Sequence, residues 1–263
     1  MKLVSLLFLY ICIITNIYAK SGNTKFKDFN NATKQLMNNI YKNNNIQNKT
    51  IYCQAKFKNK IILNFEQYTN NFNISRKGLE WEHIVPAQNF GKNFIEWTYG
   101  DTKCIEKNIY GRDCAKTINI QYQYMQSDLY NIYPAIGFIN AKRSNFHFKD
   151  GDTRITQVIT FANNLFNENK SEFGKCSILI DKKEKTVIPP NYAKGIIART
   201  YLYMDSTYRK YRLTTKQRNL FSKWNKAYPV TQEECHRAKL ISKLQGNHNK
   251  IVKKLCEKAS LYK

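Results

Sequence analysis

The chain has 263 residues, and its hydrophobic content of 42% is ample for a packed core in one large domain or two small ones. Lys and Arg number 43 against 19 Asp and Glu, a net charge of +24 that favours a polyanionic partner: nucleic acid, an anionic membrane or an acidic glycan. A solvated basic surface without a partner is the alternative, because charge alone concerns solubility and non-specific binding.

The first nineteen residues have the pattern of a secretory signal peptide. Lys2 supplies a positive start, an apolar run covers residues 3–14, and the small residue Ala19 ends the segment. The run is short for a retained membrane anchor, which is the alternative interpretation. We therefore expect cleavage after about Ala19 and a mature domain of residues 20–263, periplasmic or secreted. No later stretch is apolar enough to span a bilayer, so no membrane span is expected in the mature chain.

Short elements with polar flanks follow the signal peptide. Apolar residues recur at helical spacing over residues 26–41, which predicts a helix. Residues 51–53 and 60–63 are short and β-prone, and residues 90–111 are typical of a loop-rich excursion.

Glu82 and His83 place a carboxylate beside an imidazole, and Pro86 follows closely. Pro86 biases Val85 towards extended geometry, which predicts a strand leading into a loop. A carboxylate suits a magnesium-type ion, and a neutral imidazole suits a general base. An exposed Glu beside a His that merely packs is the commoner arrangement of such a dipeptide.

Three further polar residues could share a site with this pair. Arg112 precedes Cys114 by two residues, and a ring closed by Cys104 and Cys114 would hold its guanidinium for gripping phosphate. Asn140 could offer an amide oxygen to a hard cation, and Arg143 would lie near it on a helix. A surface Arg and a capping or turn Asn are the alternatives.

The C-terminal third is predicted to be helical. One helical face is formed by Ile196, Ile197, Thr200, Tyr201 and Met204. Thr214 with Gln217 and Thr231 with Glu234 are capping-box patterns that open two more helices. Gly246 is a candidate C-cap for the second of these helices. Residues 146–174, rich in Asn, Asp, Lys and Gly, are predicted to be a surface insertion. With no repeat or linker, one domain after the signal peptide is the simplest interpretation.

The mature chain keeps six cysteines, an even number for an oxidising compartment. Six cysteines allow fifteen pairings, which spacing cannot choose among. Cys104 with Cys114 and Cys235 with Cys256 are nearest in sequence. The absence of a Cys-x-x-Cys pair argues against a zinc site.

Several stretches together resemble the endonuclease I family, secreted or periplasmic non-specific bacterial nucleases with a ββα-metal (His-Me finger) active site. They include 80–87 (EWEHIVPA), 111–116 (GRDCAK) and 140–146 (NAKRSNF). The series continues with 128–134, 197–201, 221–231 and 245–249, in the family's order and over nearly all of the mature chain.

The resemblance implies a helix-rich α+β single domain with a ββα-metal core. It makes His83 the general base, Glu82 and Asn140 the ligands of one Mg²⁺, and Arg112 the phosphate contact. Mn²⁺ or Ca²⁺ could replace Mg²⁺, and Arg143 is expected to join Arg112 in binding substrate. The implied disulfides are Cys104–Cys114, Cys53–Cys176 and Cys235–Cys256.

The expected function is therefore a monomeric, Mg²⁺-dependent, non-specific endonuclease that binds DNA and RNA through their phosphates. Tyr130 stands where the family usually has His, Phe138 stands where it usually has an acidic residue, and the stretch 91–104 is longer than usual. A secreted nucleic-acid-binding protein with impaired catalysis is the alternative. A zinc protease lacks its His-Glu-x-x-His pattern here. The other histidines, His147, His236 and His248, have no role that the sequence indicates.

Overall fold

The computed structural model describes residues 22–42, 46–69, 71, 73–152 and 173–262. The predicted signal peptide, residues 1–19, and most of the predicted insertion at 146–174 lie outside these ranges. The described ends of that insertion belong to the core, since Phe148 and Phe173 are both buried. Within the described ranges, no helix has the length and apolar character needed to cross a membrane.

The described residues form a helix-rich α+β arrangement with small sheets. The helices are α1 Phe29–Leu36, continued by a π-helical turn Met37–Tyr41, α2 Ala87–Gly91, α3 Ile95–Thr98, α4 Thr102–Ile105, α5 Gly111–Ile118, α6 Ile120–Gln126, α7 Gly137–Arg143, α8 Asn191–Thr207, α9 Thr215–Ala227, α10 Gln232–Gln245 and α11 Lys250–Lys258. The strands are β1 Phe57–Lys58, β2 Ile61–Ile62, β3 Leu79–His83, β4 Ile132–Ile136, β5 His147–Phe148, β6 Leu179–Asp181 and β7 Thr186–Ile188. Short 3-10 turns lie at Phe65–Tyr68 and Leu129–Asn131.

The strand β3 pairs antiparallel with β4, and α7 follows β4 directly. The register places Glu82 opposite Tyr133 and His83 opposite Ile132. All five residues of β4 are buried, so this strand pair lies within the core. The strand predicted before Pro86 is confirmed: it ends at His83, and the chain then turns into α2.

Local capping signals account for the helix ends. The first helix begins after Asp28, whose carboxylate accepts from the Asn31 amide, so it starts three residues later than predicted. The capping box of Thr214 and Gln217 is complete. Gly246 ends α10 in the left-handed conformation, with φ of 88°.

Only one of the two hydrogen bonds of the second predicted capping box forms. Thr231 does accept from the Glu234 amide, but the Glu234 carboxylate binds Arg199 with two contacts of 2.7 and 2.6 Å. Both side chains are buried, and a bidentate ion pair there outcompetes a helix-end hydrogen bond.

Two of the predicted strands also differ from the structure. Residues 51–53 form a turn rather than a strand, closed by a hydrogen bond from the Gln54 amide to the Thr50 carbonyl. In the 60–63 stretch only Ile61–Ile62 is a strand. Residues 90–111 were predicted to be loop-rich but contain the short helices α3 and α4. Each spans about one turn, which is too short to show a helical periodicity in the sequence.

Three disulfides connect the elements: Cys53–Cys176, Cys104–Cys114 and Cys235–Cys256. They are the pairs that the family resemblance implies. Cys53 and Cys176 are 123 residues apart, so their bond closes a large loop around β3, β4 and α7. Such a bond restricts the unfolded chain most strongly.

Candidate active site

An open cleft of about 520 Å³ collects the residues that the sequence singles out. Its lining includes Glu82 and His83 from β3, Asn140 from α7 and Arg112 from α5. The pairing of β3 with β4 explains why Asn140 lies near Glu82 and His83, because it brings the start of α7 beside the strand that carries this pair. The predicted base, both predicted ligands and the predicted phosphate contact therefore border one space.

His83 is held at one ring nitrogen. Its Nε2 donates to the Gln126 carbonyl at 2.7 Å, and its ring stacks on Phe29 with centroids 4.7 Å apart. A carbonyl oxygen can only accept, so the proton of the neutral ring is on Nε2 and the lone pair is on Nδ1. This is the backbone anchoring that a His base needs, and it leaves Nδ1 as the atom that can take a proton.

The surroundings of His83 keep its imidazole neutral. The ring is 8% exposed, and burial lowers its pKa to about 4, with the positive charges of Arg112 and Arg143 contributing to the shift. The bond to Gln126 acts in the opposite direction without reversing the shift. The ring is therefore unprotonated at neutral pH.

This shift predicts how stability varies with pH. The folded pKa of about 4 lies below the ordinary value of 6.5, so between them the unfolded chain binds a proton that the native ring does not. The free energy of unfolding therefore falls as the pH drops through that window. We expect urea titrations of metal-free wild type to lose about 2.5 kcal/mol more than His83→Gln between roughly pH 7 and 4.5. Parallel losses in the two proteins would contradict the neutral, buried ring.

Glu82 is a buried carboxylate with two partners. The Tyr52 hydroxyl donates to its Oε1 at 2.6 Å, and Arg143 Nε lies 3.2 Å from the same oxygen. Burial raises the pKa of Glu82, while Arg143 and Tyr52 oppose that shift by favouring the charged form. A cation would find here a carboxylate that is already oriented.

Arg143, which the sequence predicts to bind substrate, is buried beside Glu82. Its side chain has no exposed surface, and it donates to the carbonyls of Ile84 at 2.8 Å and Ser144 at 3.1 Å. Its guanidinium also lies over the Phe148 ring. Arg143 thus lies beside Glu82, where an interior cation offsets a buried carboxylate, and it lines the cleft without an exposed side-chain surface.

Asn140 is half-buried on α7 and is oriented by an acid. Its Nδ2 donates to Glu80 Oε2 at 3.2 Å, so its remaining polar atom is the acceptor Oδ1. Glu82 and Asn140 thus supply a carboxylate and an amide oxygen. Such hard donors fit Mg²⁺, which takes few protein ligands and keeps several waters. No group of three or more His, Cys, Asp or Glu suited to a metal occurs among the described residues.

Arg112 is exposed in the first turn of α5. Its charge adds to the effect of burial in lowering the pKa of His83 and opposes the burial that raises the pKa of Tyr122, so the guanidinium lies near both side chains. The Cys104–Cys114 bond anchors the same helix two residues later. A positive charge is therefore held next to the position where a phosphate would meet His83.

The chain is similar in sequence to known nucleases over most of its length. The sequence profile of the Endonuclease I family matches residues 14–256. The chain belongs to the endonuclease I family. It is 40% identical to the Endonuclease-1 of Buchnera aphidicola from Acyrthosiphon pisum over 68% of this chain and 61% of that protein. Identity is 33% to an extracellular deoxyribonuclease of Aeromonas hydrophila, covering 95% of this chain and 98% of that one. A periplasmic deoxyribonuclease of the same organism is 34% identical, over 86% of both chains.

Tyr130 and Phe138, the two positions where the resemblance to the endonuclease I family implies other residues, lie outside the cleft lining. The Tyr130 hydroxyl donates to the carbonyls of Ala238 at 3.2 Å and Asn247 at 3.0 Å. Phe138 is buried against the rings of Phe65 and Phe173. Both side chains join helices and loops to the core, and neither is a hydrogen-bond partner of Glu82 or Asn140 in these contacts.

Sequence reasoning missed several supporting residues of this family site. Asn131 accepts from the Val85 amide at 2.8 Å and donates to the Val85 carbonyl at 3.0 Å, which fixes the turn after His83. Tyr52 and the Gln126 carbonyl hold the carboxylate and the base. Asn131 lies within the 128–134 stretch of the resemblance, whereas no local pattern marks Tyr52. The remaining histidines, His147, His236 and His248, are exposed and lie outside the cleft lining.

Proposed function

We propose that the protein is a secreted or periplasmic endonuclease that hydrolyses phosphodiester bonds of DNA and RNA with little sequence preference. The observation that carries this proposal is the anchoring of His83 by the Gln126 carbonyl beside Glu82 and Asn140 in one cleft. The names of the relatives, extracellular and periplasmic deoxyribonuclease, support the location and the DNA substrate. The signal-like residues 1–19 support export, and we take the active form to be a monomer.

The proposed active site is a ββα-metal unit made of β3, β4 and α7. The order of two antiparallel strands followed by a helix supports this assignment. In it, the base lies at the end of β3 and the second ligand on the helix. Glu82 and Asn140 would hold one Mg²⁺, or Mn²⁺ or Ca²⁺ in its place.

His83 performs the first chemical step in this proposal. Its Nδ1 removes a proton from a water molecule, and the resulting hydroxide attacks phosphorus as the bond to the 3′-oxygen breaks. Arg112 lies where negative charge develops on the phosphoryl oxygens and stabilises it. When bound, a divalent cation supplies the positive charge that neutralises the phosphate and the leaving oxygen. Arg143 and Tyr52 hold Glu82 in place and favour its charged form against the effect of burial.

Substrate binding is proposed to depend on phosphates. The net charge of +24 attracts the backbone of either nucleic acid, and phosphate contacts carry no direct base information.

The experiment that tests the function is nicking of supercoiled plasmid by the oxidised mature protein with Mg²⁺ or with EDTA. We expect cleavage only with the metal, and comparable cleavage of single-stranded RNA. At subsaturating DNA, two or more phosphate contacts predict a rate that falls about tenfold or more between roughly 50 and 200 mM salt. A rate that does not change over this range would contradict phosphate-dominated binding. Plasmid that is retarded on a gel but never cut would instead identify a nucleic-acid-binding protein.

A further inference from the structure

Glu80 lies in the same cleft as Glu82, two residues earlier on β3, and the proposed reaction assigns it no chemical step. Residues two apart on a strand point to the same face. Glu80 is half-buried, with 30% of its side chain exposed, while the Glu82 side chain is buried behind it. The cleft therefore carries a second carboxylate.

Glu80 contacts Asn140, the second proposed metal ligand. Its Oε2 accepts from Asn140 Nδ2 at 3.2 Å. A side-chain amide has one donor end and one acceptor end, and a carboxylate can only accept. The Glu80 carboxylate therefore selects the amide orientation in which Nδ2 faces Glu80 and Oδ1 is available to a cation.

Glu80 is itself fixed from the other side. Arg76 Nε donates to Glu80 Oε1 at 2.6 Å, and Arg76 Nη2 donates to Oε2. A forked guanidinium contact of this kind sets both the position and the plane of the carboxylate. A chain of side chains thus runs from Arg76 through Glu80 to Asn140.

The backbone locks the same two segments together. The Arg76 carbonyl accepts from the Phe138 amide at 3.0 Å, and the Gly78 carbonyl accepts from the Gly137 amide at 2.9 Å. A Cβ at Gly137 would lie 2.6 Å from the Arg76 carbonyl oxygen and 2.8 Å from Glu80 Oε1. Only glycine permits this approach, so the first turn of α7 is pressed against the segment that carries Glu80.

We propose that Glu80 is a positioning residue that orients the Asn140 amide so that Oδ1 faces the divalent cation, with Arg76 holding Glu80 in place. The inference rests on the proposed metal site and deepens it. The Glu80 carboxylate acts through Asn140. Residues that hydrogen-bond to a metal ligand commonly contribute about 10- to 100-fold to metal affinity.

The first test measures Mn²⁺ binding to the oxidised mature protein without nucleic acid, by calorimetry or by electron paramagnetic resonance. We expect Glu80→Ala to weaken binding about 10- to 100-fold. Glu80→Gln keeps an acceptor oxygen for Asn140 and should weaken binding less than Glu80→Ala. Glu257→Ala, on α11 and outside the cleft lining, removes the same charge and should bind as wild type does. Equal binding by wild type and Glu80→Ala would overturn the inference.

A swap of partners separates orientation from direct ligation by Glu80. In Asn140→Asp two carboxylates face each other, whereas in Glu80→Gln/Asn140→Asp the introduced amide can donate to the introduced carboxylate. We expect the double variant to bind Mn²⁺ more tightly than Asn140→Asp alone. In the protein that keeps Asn140, Glu80→Gln should not strengthen Mn²⁺ binding. Weaker binding in both backgrounds would show that Glu80 is itself a ligand and would refute the positioning role.

A measurement without metal completes the test. In ¹H–¹⁵N spectra with EDTA, the Asn140 side-chain amide should exchange slowly in wild type and Glu80→Gln and faster in Glu80→Ala. Unchanged exchange in Glu80→Ala would overturn the inference. If wild type itself neither binds Mn²⁺ nor cleaves plasmid, the proposed function fails. If wild type does both and Glu80→Ala matches it, only the role of Glu80 fails.

Discussion

His83→Ala should lower the rate of plasmid cleavage about 100- to 10,000-fold, the usual contribution of a positioned general base. The reason is geometric, because His83 lines the cleft and Nδ1 is its remaining acceptor once Nε2 is bound to the Gln126 carbonyl. The affinity for DNA should change little, since the substitution removes a neutral ring and no proposed phosphate contact. The measurement is single-turnover nicking with saturating Mg²⁺, beside a gel-shift titration of the same DNA in EDTA.

His236→Ala is the matched control for this substitution. That residue is exposed on α10 and outside the cleft lining, so the change removes an imidazole without touching the site. It should cleave at the wild-type rate. If His83→Ala retained full activity while remaining folded, the proposed base would be refuted and the proton acceptor would have to be sought elsewhere in the cleft.

Arg143→Met should destabilise the folded protein by about 3–5 kcal/mol, because it leaves the Glu82 carboxylate buried without its cation. Methionine keeps the apolar contact with Phe148, so the loss reports charge more than packing. The missing cation should also raise the pKa of Glu82 further, which favours its protonated form and opposes metal binding. Urea unfolding of the oxidised protein in EDTA and Mn²⁺ calorimetry measure the two consequences.

A double variant separates stability from metal binding. Glu82→Gln/Arg143→Met removes both charges, keeps an acceptor for the Tyr52 hydroxyl, and should recover most of the lost free energy of unfolding. It should not recover Mn²⁺ binding, since the carboxylate ligand is gone. An Arg143→Met protein as stable as wild type would argue that the buried carboxylate already has sufficient compensation from Tyr52.

Burial of Arg143 also shows what helical spacing alone leaves open. Its position three residues after Asn140 on a predicted helix was sound, since α7 covers both. Helical spacing says which residues are neighbours, but not whether the helix presents them to a cleft or to a core. That choice depended on the buried Glu82 carboxylate, which lies 3.2 Å from Arg143 Nε in the folded chain.

Much of this protein is encoded locally. The Asp28, Thr214 and Thr231 caps, the glycine that ends α10 and the strand before Pro86 follow from side-chain chemistry within a few residues. The motif at 80–87 and its companions were enough to indicate the family. Six cysteines in the mature chain indicated disulfides, although spacing could not choose their partners.

Only the tertiary structure decided what surrounds the reactive groups. The carbonyl that anchors His83 is 43 residues away, the hydroxyl on Glu82 is 30 residues away, and the acid on Asn140 is 60 residues away. Propensities and periodicities describe neighbours along the chain, whereas these contacts exist because β3 pairs with β4 and carries distant segments together. The sequence therefore singled out residues that meet in one cleft, whereas their orientation and burial were set by partners that only folding supplies.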